Sequence, residues 1–242
     1  MSPFIIADFD KNLIASVVDI IEAEKTRQGN ASRVATYDFD GLYALFSEEQ
    51  RPSVEALFEK YMKIDPLAYG FKGEYLGIVP VPADLVTLTD QKCIIAGNEK
   101  IIPPQFIARD AYDAYVKMNE AMQAALGRPL FIESAYRSPA YQMFVLFYYL
   151  KQNDFDIAKT LKRVAMPGYS EHNYPPKQAL DVMNVDGSST DEEPFKFDET
   201  AEYQWLTENA GRFGFTMSYP KDNPKGIMYE PWHWSFDSRT VL

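Results

Sequence analysis

Two histidines occur in the chain, His172 and His233, and each stands beside carboxylates. The first lies in Ser170-Glu171-His172 and is followed, after eight intervening residues, by Asp181. The second closes Glu230-Pro231-Trp232-His233. Two imidazoles and one carboxylate are what a catalytic zinc takes from a protein, with a fourth position left for water. Such a zinc lowers the pKa of water toward ~7 and polarises a carbonyl. Glu230, three residues before His233, is placed to act as general base without being a ligand: it takes a proton from water and hands it to a leaving amine. Arg137, between a strand ending at Ser134 and a capped helix start, is held firmly enough to stabilise an oxyanion. The same donor set also describes non-haem iron oxygenases, so spacing does not choose hydrolysis over oxidation.

These residues need a scaffold, and the hydrophobic pattern supplies one. A helix is expected from about Asp10 to Gln28, where Leu13, Val17, Ile20 and Ile21 recur at three- and four-residue spacing and Gly29-Asn30 gives the stop. A second begins near Pro52-Ser53 with Leu57, Phe58 and Tyr61 on one face. Residues 71–107 alternate Pro, Gly and β-branched residues and read as short strands and turns. From Ala108 to Ala125 the pattern is helical again, with Ala111, Tyr115, Met118 and Met122 in one stripe and Gly127 as the cap. Leu130 to Ser134 is a strand, and Ser138-Pro139 starts a heavily aromatic, buried helix. A further helix is expected over Asp154–Val164 and another over Thr200–Ala210. Strands are expected at Ala179–Val185, Phe215–Ser218 and Trp232–Phe236. Trp232 and Trp234 alternate with His233 along a strand, so Trp232 is expected to face away from the metal, into the core. Tyr136, Tyr141 and Cys93 read as packing residues, and Glu171 as one that points opposite its neighbours or outward and is a weak candidate for a role.

Composition narrows the class. With 242 residues, 14% of them aromatic, the chain buries enough surface to fold without a disulfide, and its lone cysteine has no intrachain partner. A net charge of −11 with no basic run argues against nucleic acid as a partner. No stretch reaches 18 apolar residues, and the first residues carry Asp8, Asp10 and Lys11 where a signal peptide needs an apolar core. As written the chain reads as cytoplasmic, or as periplasmic or extracellular if a signal has been removed. The acidic stretch Asp186–Glu193 reads as a solvated loop, with calcium binding the alternative.

Four ordered blocks carry a family resemblance. Ser134-Ala135-Tyr136-Arg137-Ser138 with Tyr141-Gln142 resembles the S-x-Y-R-S…Y-Q element of the VanY-type D-alanyl-D-alanine carboxypeptidases. Ser170-Glu171-His172 with Ala179-Leu180-Asp181 is similar to their S-x-H…A-x-D zinc motif, and Trp205 to Ala210 with Phe213-Gly214-Phe215 to their W-L-x-E-N-A…F-G-F run. Glu230-Pro231-Trp232-His233 resembles their closing E-x-W-H. The resemblance covers residues 75–237. It implies one zinc on His172, Asp181 and His233, Glu230 as catalytic base, Arg137 on the tetrahedral intermediate and Ser170 near the substrate. The implied fold is α+β, a small antiparallel sheet with flanking helices, expected here in residues 75–242; residues 1–74 lie outside the resemblance and read from their own periodicity as an N-terminal helical extension. The implied substrate is a peptidoglycan stem peptide ending in D-Ala-D-Ala. Dipeptidase and L-Ala-D-Glu endopeptidase activities, or a non-catalytic wall-peptide-binding module, are the alternatives. One departure is visible: the family usually has six residues between the first His and the Asp, a glycine among them. Here there are eight, with Pro175-Pro176 and no glycine, which makes that loop longer and stiffer and bears on substrate fit.

Overall fold

A computed structural model of the chain describes residues 4–95, 97–187 and 194–240. The elements in order are α1 (Asp8–Gln28), α2 (Phe39–Tyr43), α3 (Arg51–Met62), β1 (Val86–Leu88), β2 (Lys92–Ile95), β3 (Asn98–Ile101) and β4 (Gln105–Ile107). There follow α4 (Arg109–Leu126), β5 (Phe131–Ser134), α5 (Pro139–Gln152), α6 (Ile157–Thr160), β6 (Ala179–Met183), α7 (Pro194–Asp198), α8 (Ala201–Asn209), β7 (Phe215–Met217) and β8 (His233–Phe236). Contacts divide them into two compact units, Met1–Val81 with Arg137–Asn173 and Pro224–Met228, and Pro82–Tyr136 with Tyr174–Asn223 and Tyr229–Leu242. Among the described residues no helix is long and apolar enough to cross a membrane.

The first unit is helical. Its core joins Ile14, Val17 and Ile21 of α1, Val54, Leu57, Phe58 and Tyr61 of α3, and Met143, Phe144, Leu146, Phe147 and Leu150 of α5. The Phe147 ring stands edge-on to Phe58 at 5.2 Å and to Tyr61 at 5.1 Å between centroids. α5 starts as its sequence demands: the Ser138 hydroxyl accepts from the Tyr141 N–H and Pro139 takes the first helical turn. One expectation fails here. Asp154 and Phe155 both adopt positive φ, so no helix can begin at Asp154. α6 starts only at Ile157, capped by Asp156, and ends at Thr160, whose hydroxyl donates back to the Asp156 carbonyl.

The second unit carries a four-stranded antiparallel sheet in the order β5-β6-β8-β7, together with two small two-stranded antiparallel sheets, β1–β4 and the hairpin β2–β3 that lies between their strands in the chain. One sheet face, with Ile132, Leu180, Val182, Trp234 and Phe236, packs on the α4 stripe Ala111, Tyr115, Met118 and Met122 and on Leu206 of α8. α4 ends at Gly127, whose left-handed φ of 71° is open to glycine at no steric cost. The expected α+β class, an antiparallel sheet with flanking helices plus N-terminal helices, is the one observed. Cys93 is buried with Ile102 and Met183 as an apolar residue. Of the stretch Asp186–Glu193, residues 188–193 lie outside the described residues, and Asp186 pairs with Arg128 at 3.0 Å.

Candidate active site

The sheet face turned away from that core carries the chemistry. Strand register sets Asp181 of β6 directly opposite His233 of β8, with Ser134 of β5 opposite Asp181 on the other side. Residues paired this way project from the same face with Cβ atoms about 5 Å apart, so the ladder itself brings acid and imidazole together. His233 Nδ1 lies 3.0 Å from Asp181 Oδ1 and 3.6 Å from Glu230 Oε2. The side chains are 5%, 14% and 9% exposed, respectively. Glu230 arrives on a turn whose carbonyl accepts from the His233 N–H, while its own N–H bonds the Tyr219 carbonyl. Trp232 is buried in the core as expected; Trp234 is buried too, and its indole donates to the Pro231 carbonyl. Tyr219, which the sequence did not single out, lays its ring 4.7 Å from that of His233. Its one signal is position: it follows the strand that pairs with β8.

His172 comes from a different kind of element, the 3₁₀ turn Glu171–Asn173, whose three residues are all buried, as is Ser170 just before it. The His172 carbonyl accepts from the Arg137 N–H at 3.1 Å, so the segment with Arg137 and the segment with the first imidazole are joined through their backbones. Arg137 is partly buried, and its Nε has no hydrogen-bond partner among the described residues. Of the two orientations expected for Glu171, the outward one does not hold: the residue is buried, with Lys225 Nζ 3.2 Å from its carboxylate. A lysine 54 positions downstream turns an unfavourable burial into a paired one. The long connection to Asp181 contains a second 3₁₀ turn, Pro175–Lys177, whose first positions tolerate the two prolines because their missing N–H groups would have no partner there. Tyr136 is fully buried and Tyr141 packs on the first core, both as packing residues.

One ligand atom from each of His172, Asp181 and His233 can be chosen so that all lie within 4.8 Å of one another. Tetrahedral zinc with ligands at 2.0–2.2 Å sets its donors ~3.3 Å apart, close to the 3.0 Å between His233 and Asp181. Two nitrogens and one carboxylate oxygen, with Glu230 beside them, therefore fit a zinc with an open position.

A family model described as VanY, D-alanyl-D-alanine carboxypeptidase, matches residues 105–239. A D-alanyl-D-alanine carboxypeptidase of Enterococcus faecium is 30% identical over 162 residues, 63% of this chain and 45% of that one. The bifunctional D-Ala-D-Ala dipeptidase and D-Ala-D-Ala carboxypeptidase VanXYC of Enterococcus gallinarum is 29% identical over 134 residues, 52% of this chain and 68% of that one. The chain thus spans about half the length of the first of these relatives. Among solved structures, that of the LdcB LD-carboxypeptidase aligns with a TM-score of 0.54 at 27% identity, covering 72% of this chain and 80% of that one. The family match takes in more than half of the chain, including every proposed ligand and both ends of the sheet, and the chain belongs to the VanY D-alanyl-D-alanine carboxypeptidase family.

Proposed function

We propose that the chain is a zinc carboxypeptidase that removes the terminal D-alanine from peptidoglycan stem peptides ending in D-Ala-D-Ala. The observation that carries this reading is the His172, Asp181 and His233 donor group with the Glu230 carboxylate 3.6 Å from one donor. Bound zinc supplies Lewis acidity, making water acidic toward a pKa of ~7 and polarising a carbonyl. Glu230 takes the proton of the attacking water as its oxygen bonds the scissile carbonyl carbon. The same carboxyl returns that proton to the amide nitrogen as the C–N bond breaks and D-alanine leaves. The Arg137 guanidinium stabilises the oxyanion that develops between these steps. Ser170, which is buried and immediately precedes the turn bearing His172, is assigned to substrate binding on the family resemblance.

A second reading concerns the bond. The likeness to a protein named LD-carboxypeptidase favours a tetrapeptide whose terminal D-alanine follows an L-residue. The test sets both peptides before the zinc-loaded protein, with products read by mass spectrometry. Release of D-alanine from the D-Ala-D-Ala peptide supports the first reading, and release from the tetrapeptide alone supports the second. Glu230→Gln keeps the shape beside His233 and should retain stoichiometric zinc while kcat falls ~10²–10⁴-fold, the usual worth of a positioned acid–base group. Full zinc with cleavage of neither peptide, or turnover that survives Glu230→Gln, defeats the reading.

A further inference from the structure

We propose that Asn173 is a positioning residue that holds Arg137 and His172 in one fixed arrangement. The proposal rests on the carboxypeptidase reading for the roles of those two residues. Asn173 follows His172 directly and closes the same 3₁₀ turn, its N–H donating to the Ser170 carbonyl at 3.0 Å. Its side-chain amide nitrogen reaches back 36 positions to the Arg137 carbonyl at 2.6 Å. In the other direction the Arg137 N–H donates to the His172 carbonyl at 3.1 Å. The two segments therefore exchange a pair of hydrogen bonds, and neither can slide without breaking both. Ser138, next in the chain, is anchored to α5 through its hydroxyl and to the Ala35 carbonyl through its N–H. The clasp thus ties the turn bearing His172 to a rigid helix start.

The choice of asparagine is itself informative. The side chain has no exposure to solvent, yet its Oδ1 has no hydrogen-bond partner among the described residues. An acceptor buried without a partner carries a desolvation cost, and an apolar side chain of the same size would avoid it. A residue kept at such a cost is one whose other half, here the Nδ2 donor, is needed. Aspartate has the same shape but sets a carboxylate oxygen against the Arg137 carbonyl. Leucine fills the volume and removes donor and orphan acceptor together.

The experiment compares Asn173→Asp and Asn173→Leu with the unaltered chain. It reads zinc affinity by chelator competition, the visible spectrum of the cobalt(II)-loaded protein, kcat and KM on the D-Ala-D-Ala peptide at saturating zinc, and the thermal midpoint. Groups that orient metal ligands typically change metal affinity or activity 10- to 100-fold when removed, and both variants should lose zinc affinity and kcat by about that factor. KM should stay within about twofold, the cobalt bands should shift, and the kcat loss should vanish in an Arg137→Ala background, because Asn173 acts through Arg137. Unchanged zinc affinity and cobalt bands overturn the proposal, as does a kcat loss that simply multiplies with that of Arg137→Ala. Failure of both variants to fold overturns it too, since the residue is then structural. A parent protein that binds zinc but cleaves no peptide sinks the functional reading alone, and the zinc and cobalt measurements still decide on Asn173.

Discussion

Replacing Phe147 by alanine should open the first core at its centre and free His172, one of the three candidate donors. The ring is fully buried and meets Phe58 and Tyr61 edge-on, so α5 loses its main contact with α3 at a single stroke. Phe→Ala in a core costs about 3–5 kcal/mol, and each edge-on aromatic pair adds about 0.5–1.5 kcal/mol. Allowing for overlap between these contributions, the loss should be about 4–6 kcal/mol. For a chain of this length that corresponds to a fall in Tm of roughly 10–20 °C. Phe147→Leu keeps most of the volume and should lose only about 1–2 kcal/mol. Because Ser138 caps α5 and Arg137 precedes it, unfolding of this unit also frees the turn that bears His172. The assay is a thermal melt followed by circular dichroism in parallel with zinc release to a chromophoric chelator. The two signals should share a midpoint in Phe147→Ala, well below that of the unaltered protein. A midpoint within about 3 °C of the parent, or zinc held through the melt, would refute the idea that α5 links this core to the site.

Two further outcomes follow from the same unit. Lys225→Met leaves the Glu171 carboxylate buried without its ammonium; at 3.2 Å and an effective dielectric of ~20 the attraction is about 5 kcal/mol before screening. With Lys225 34% exposed, the measured loss in a urea titration should be about 1–3 kcal/mol, largely recovered in the Glu171→Gln, Lys225→Met pair; a loss below about 0.5 kcal/mol would show that the pair is inert. Gly226→Ala places a Cβ 2.1 Å from the Gly70 carbonyl oxygen at a φ of 77°, and should cost about 2–4 kcal/mol, whereas Gly211→Ala, with open space around its Cβ, should fall within about 0.5 kcal/mol of the parent; equal effects would contradict the close approach at Gly226.

The sequence was most legible where structure is local or where residue types are scarce. Ser138-Pro139, Gly127 and the Ala111–Met122 stripe announce their elements because caps and helical periodicity involve residues a few positions apart. The two candidate imidazoles were legible because the chain has only two histidines, while the choice of Asp181 beside them came from the family resemblance. What escaped was set by distant partners. Nothing around Glu171 reveals that Lys225 will meet it, and nothing around Phe147 reveals Phe58 and Tyr61. The helix expected over Asp154–Val164 failed for another reason: its apolar spacing is helical, but two residues at positive φ reset the chain, and no side-chain pattern encodes that.

The pairing of Asp181 with His233 has a consequence for how such a site can vary. The distance between these two groups is fixed by the hydrogen-bond ladder between β6 and β8, whose dimensions do not depend on what joins the strands. Insertions in the connection after His172 can therefore accumulate without disturbing the acid–imidazole pair, so the eight-residue connection with its two prolines leaves that pair intact. The scaffold separates what must stay constant from what is free to drift. The loop can change in length and stiffness while the ladder keeps the Asp181 carboxylate and the His233 imidazole at one separation.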